Sequence, residues 1–248
     1  MRPRISLLLS VLLVVALSAC DAPPPLQPDR ATHEDFAAGN AIATNLGVPA
    51  ETRAEVIRFA DLEVVDGARA GLLREVDAIR TRTHTAELTH RDVLTLWWIV
   101  FNHPEYCEHG DGELAACGEG DLFDGPEGPT GVDPSCVYAD GSLVGGNGTA
   151  RFHDRLRVED VRDSCIDFFV AAVDGLEGED YGLINPAGAE VHLVVRSHGP
   201  TIPGMVSEQR STFAGGCQEF LMPHEGEEEL EPGQCRDEQF VVFPAPNN

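Results

Sequence analysis

Val93-Leu94-Thr95-Leu96-Trp97-Trp98-Ile99-Val100-Phe101 is the stretch that decides the fold. It is apolar at odd and even positions alike, and its aromatic and β-branched side chains suit a strand. A strand that is apolar on both faces has to be covered on both, so it belongs at the centre of a sheet. Asn102-His103-Pro104 ends it, because proline has no N–H to give to a ladder.

The flanking sequence extends the same reading. Upstream, Ile79, Thr81, Thr83 and Thr85 alternate with Arg80, Arg82 and His84, as a half-buried strand requires. Downstream, Val137 to Leu156 carries hairpin signals: Asp140-Gly141 is turn chemistry, and Gly145-Gly146-Asn147-Gly148 permits a bulge or sharp bend. Glu190 to Arg196 alternates again, and Gln239 to Phe243 reads as a final short strand. Strands punctuated by Gly and Pro and joined by long loops predict a mainly β protein, an antiparallel β-sandwich forming a single domain over residues 52–248. No internal repeat interrupts that division.

The amino terminus predicts an address. Arg2 and Arg4 precede an apolar run from Ile5 to Leu17, which is short for a membrane span and right for a signal-peptide core. Leu17-Ser18-Ala19-Cys20 resembles a bacterial lipobox, so residues 1–19 are expected to be removed and Cys20 to carry lipid. A diacylglycerol thioether plus an acyl chain (palmitate, for example) gives stable anchoring. Residues 20–51 then form a tether, Pro-rich from Asp21 to Arg30, with a short helix capped by Thr32 and ending near Gly47. The expected location is a membrane of the cell envelope, on the periplasmic or the outer side.

Among 248 residues there is no lysine; 17 arginines face 42 acids, for a formal charge of −25. Without lysine, Schiff-base chemistry and Walker-type phosphate binding are excluded. A pI near 4.5 argues against nucleic acid as a partner.

Setting Cys20 aside leaves Cys107, Cys117, Cys136, Cys165, Cys217 and Cys235. An even count in an exported chain points to disulfides, and sequence-neighbour pairing is expected because each such pair brackets a Gly- or acid-rich loop. The competing thiolate-metal reading lacks any Cys-x-x-Cys.

Three segments also carry a resemblance: TLWWIVFNHPEYC (95–107), NPAGAEVHLVVRSHGP (185–200) and EQRSTFAGGC (208–217). They are similar to a group of exported bacterial proteins without established activity, over about Asp66 to Phe243. A more distant likeness to chordin-type β domains rests on the strand pattern and the Ala189-Glu190-Val191-His192 stretch. The resemblance implies an exported β domain and no catalytic residue.

Two constellations could carry chemistry. Glu190, His192, Arg196 and His198 share one parity, so in a strand they share one face, either as a metal or ligand site or as a partly solvated polar face. His192 and His198 stand about 20 Å apart in an ideal strand, too far for one ion without a bend; His84 and His103 are conceivable additional ligands. Glu190 and Arg196 are alternatively a simple ion pair. The second constellation is the acidic stretch from Glu105 to Asp133, where Asp111, Glu119, Asp121 and Asp124 could hold calcium, although EF-hand spacing is absent. No other cofactor is expected.

Gly-x-Ser-x-Gly and His-Glu-x-x-His are both absent, so an enzyme would rest on acid/base chemistry from Glu190 and nearby histidines. Trp97 and Trp98, adjacent in a strand, point to opposite faces, so at least one belongs to the core. The expected function is a membrane-anchored, non-enzymatic binding or structural domain. Its partners are the bilayer, through acylated Cys20, and an envelope protein or small ligand; a metal-binding module is the alternative.

Overall fold

A computed structural model describes residues 51–246 apart from 111, 113, 124–130, 167, 169–179 and 222–228. Cys20, the tether and its helix, Asp111 and Asp124 therefore lie outside the described residues. The described strands are β1 (Thr52–Ala54), β2 (Ile57–Arg58), β3 (Arg69–Arg74), β4 (Ala78–Thr85), β5 (Asp92–Phe101), β6 (Pro134–Leu143), β7 (Ala150–Arg157), β8 (Glu190–Pro200), β9 (Glu219–Phe220) and β10 (Gln234–Phe243). They form two packed sheets, β1-β3-β4-β7 and β2-β10-β8-β5-β6, with β9 added in parallel to β10. The other pairings are antiparallel, as the sequence predicts.

β5 lies between β8 and β6, and all ten of its residues are buried. Leu94, Leu96, Trp98 and Val100 join Leu72, Ile79, Phe152, Leu193 and Phe243 in the core between the sheets. Trp97, Ile99 and Phe101 belong to a second core on the outer side of the larger sheet, with Leu122, Val132, Ile166 and Phe213. Full burial of a large apolar side chain stabilises by about 1.5–3 kcal/mol, so both faces of this strand hold the fold together. Both tryptophans are fully covered.

Trp98 does not leave its N–H unmet. Its Nε1 donates to Asp154 Oδ2 at 2.6 Å, and Arg162 Nη2 donates to the same oxygen at 2.6 Å. Burial pushes the Asp154 carboxyl up to about 6, although the Arg162 cation and the Trp98 N–H pull the other way.

The hairpin expected over Val137–Leu156 does not form, because β6 and β7 belong to different sheets. Asp140-Gly141 lies inside β6, not at a turn. Asp140 accepts the N–H groups of Gly141 at 2.8 Å and of His153 at 3.0 Å, so it clamps β6 to β7 across the sheets. Gly141 marks a close approach: a Cβ there would stand 2.0 Å from the Arg210 carbonyl oxygen. The chain reverses at Gly145–Gly148, where Gly145 N–H donates to the Thr149 carbonyl at 2.9 Å. The last strand also starts five residues earlier than expected, since a bulge between Asp237 and Gln239 breaks its alternation.

The six downstream cysteines pair as sequence neighbours: Cys107–Cys117, Cys136–Cys165 and Cys217–Cys235, with Cα–Cα distances of 5.0, 5.3 and 5.6 Å. Cys107, Cys117, Cys136 and Cys165 all pack in the second core, so these bridges tie loops over the outer face of the larger sheet.

Candidate functional site

β8 carries the four residues singled out from the sequence, and its two faces divide as expected. Val191, Leu193 and Val195 enter the core between the sheets. Glu190, Arg196 and His198 are nonetheless buried, and His192 is mostly covered, so the face is not the partly solvated one that alternation suggested. The reason is the loops: those closed by Cys107–Cys117 and Cys217–Cys235 fold over it.

Glu190 serves the first of these loops. Its carboxylate accepts the Cys117 N–H at 2.9 Å and the Ala116 N–H at 3.2 Å, and its Oε1 lies 2.9 Å from His192 Nε2. Burial pushes its pKa up, but the hydrogen bonds from His192 and Cys117 outweigh this and hold it below the ordinary glutamate range. His192 also stacks edge-on against Phe101, with centroids 5.1 Å apart.

Arg196 pairs with Asp237, not with Glu190. The two stand directly opposite on β8 and β10, and the guanidinium grips both carboxylate oxygens, Nε–Oδ1 at 2.7 Å and Nη2–Oδ2 at 3.1 Å. Phe213 covers the guanidinium at 3.7 Å and Phe220 flanks it at 5.3 Å. The ion-pair reading is right in kind but had the wrong partner, because cross-strand neighbours are closer than residues six apart on one strand.

His198 sits deepest. Trp97 Nε1 donates to Thr95 Oγ1 at 2.8 Å, Thr95 Oγ1 lies 2.9 Å from His198 Nε2, and His198 Nδ1 lies 2.9 Å from the Gly215 carbonyl oxygen. A carbonyl only accepts, so Nδ1 carries the proton and Nε2 accepts from Thr95. Burial, aided by the Arg196 cation, pushes the imidazole down to about 4, and the ring is neutral at physiological pH.

His192 and His198 thus have separate partners and do not converge on one ion. His84 lies on the far sheet, against the Gly67 carbonyl, and His103 faces Glu105 and Asp133. Where ligand-type atoms cluster among the described residues, at His198/Cys217/Cys235 and at Cys107/Cys117/Asp121, the sulfurs are bonded to each other and offer no thiolate.

In the acidic loop, Asp121 is buried. Its Oδ1 accepts from Glu108 N–H at 2.9 Å and lies 3.0 Å from His109 Nδ1; its Oδ2 accepts from Gly118 N–H at 2.8 Å and His109 N–H at 3.2 Å. Burial raises its pKa, but the N–H groups of Glu108 and Gly118 and the His109 ring together lower it below the usual aspartate value. Glu119 and Asp121 bound a short 3-10 turn whose shape these bonds set. The carboxylate organises its own loop, with four donors already filling its oxygens.

Sequence reasoning missed Asp154 and Asp121 as buried anchors. The available signal was each acid's position: Asp154 has the inward parity of β7, and Asp121 precedes the apolar pair Leu122-Phe123. The chain matches no family model, no curated protein and no solved structure.

Proposed function

We propose that this chain is an exported, lipid-anchored binding or structural β domain of a bacterial cell envelope, not an enzyme. The observation that carries the reading is the cysteine arrangement. Six of the seven cysteines are consumed in three disulfides, which suits an oxidising compartment, and the seventh, Cys20, ends an apolar leader at a lipobox-like tetrapeptide. The non-enzymatic reading rests on β8: the Glu190 carboxylate, Arg196 Nε and Nη2 and both ring nitrogens of His198 hold loops and neighbouring strands. Partners are the bilayer, through the acylated cysteine, and an envelope protein or small ligand. The test is mass spectrometry of the amino-terminal peptide from the full chain expressed in a bacterium, beside Cys20→Ser. The reading expects a peptide beginning at Cys20 with diacylglycerol and acyl mass, and release of Cys20→Ser from that form of attachment. An unmodified peptide beginning at Met1 overturns it.

A further inference from the structure

The outer face of the four-stranded sheet holds seven of the 17 arginines in a chain of net charge −25. Strand alternation puts them there, since Ala70, Leu72, Ile79, Phe152 and Leu156 take the inner face. They stand in rows across the strands. Arg80 is opposite Arg155; Arg82 lies between Gly71 and His153, with Arg53 beyond the glycine; His84 lies between Arg69 and Arg151; and Arg157 closes the far end of β7. Like charges placed opposite each other weaken a sheet; Arg80 and Arg155 are so placed, with the Glu75 carboxylate between them.

Glu51, Glu75 and Asp77 pair with arginines of this face. Glu75 is buried between Arg80 and Arg155, at 2.7 and 2.8 Å, and Asp77 reaches Arg155 at 3.2 Å. Glu51 lies 3.9 Å from Arg53. Arg53, Arg69, Arg151 and Arg157 are exposed.

We propose that this arginine face docks on the phosphates of an anionic lipid bilayer, the same bilayer that receives the Cys20 anchor. The proposal rests on the anchoring read above and adds a second, electrostatic contact. A guanidinium fork binds phosphate oxygens in pairs, and every cation of this chain is an arginine. A four-stranded sheet offers a broad face, matched to a surface more than to a small solute. The chain enters the fold at β1, an edge strand of this same sheet, 32 residues after Cys20. Such a length spans at most about 110 Å, ample for the face to lie on the membrane.

The acids are spread over the molecule, and exposed Glu55, Asp66, Glu87 and Glu159 lie near the ends of β1, β3, β4 and β7. Exposed Glu105, Glu108 and Glu208 lie in segments that connect strands of the larger sheet, and exposed Glu219 lies in β9, which pairs with β10 of that sheet. With the arginine face toward the bilayer, the guanidinium groups stand nearest the lipid phosphates, and this contact orients the molecule.

The test uses the full chain, purified with its own processing and reconstituted into phosphatidylcholine vesicles with or without phosphatidylglycerol. Amide exchange in β7, an edge strand, is the readout. The expected result is slower exchange in β7 on anionic vesicles only, lost at high salt and in R69E/R151E/R157E. In vesicle pelleting, affinity should fall about fivefold for each arginine neutralised. Equal exchange on both lipids in an acylated chain overturns the proposal while leaving the anchor intact. An unacylated chain that still pellets with anionic vesicles removes the anchor and keeps the face. Protection by soluble polyphosphate without protection by vesicles assigns the face to a soluble polyanion and overturns the membrane assignment. If the triple variant does not fold, lipid composition and salt decide the matter on the wild-type chain.

Discussion

With Nδ1–H given to the Gly215 carbonyl and Nε2 filled by the Thr95 hydroxyl, the His198 ring has no room for a second proton unless Thr95 turns away. The unfolded chain has no such restriction and takes up that proton near pH 6.5. Because the folded value is depressed to about 4, this residue's stability contribution is present above pH 6.5 and is lost as the pH falls toward 4. The full difference is about 3 kcal/mol. The stability gap between wild type and H198Q is expected to narrow on acidification through that window, and nitrogen NMR should find a neutral, Nδ1-protonated ring at about pH 5. A ring that titrates at its ordinary value would refute the burial argument. Parity along β8 showed which face His198 takes. Its depth was not legible, because what covers it comes from Thr95 and Gly215, distant in sequence.

At the scale of elements, β5 was the most readable piece: an apolar run on both faces admits few placements other than a sheet centre. The Asp140-Gly141 pair was misleading for a reason visible only in three dimensions, since the glycine there makes room for the Arg210 carbonyl and the aspartate bridges two sheets. Loop anchors were equally hidden. Nothing in the local sequence says that Glu190 captures the N–H groups of Ala116 and Cys117, 74 and 73 residues away. Glu190→Gln keeps the size and removes the charge, and a buried charge-assisted contact of this kind is worth about 1.5–3 kcal/mol. The variant should melt earlier, with faster amide exchange at Ala116 and Cys117 and unchanged exchange in β3 and β4. Uniform loosening throughout the protein would assign Glu190 a general packing role instead.

Seen whole, the two sheets present different outer faces. One sheet presents arginines outward, the other is roofed by bridged, acid-bearing loops, and the dense strands β5 and β8 lie beneath that roof. A formal charge of −25 describes the total and conceals the division, because composition sums over faces that strand alternation separates. The arginines of β4 and β7 could be read as outward-facing from their alternation, but their adjacency across strands required the pairing register.

Complete bridging among the six downstream cysteines has a practical corollary for anyone handling the purified material. A sulfhydryl reagent under non-reducing denaturation can find only position 20, and an amine-reactive dye, with no lysine anywhere, only the α-amino group. Two colorimetric titrations therefore count the chemical state of one end of the chain: a fully acylated product registers zero in both, and a bare leader registers one in each.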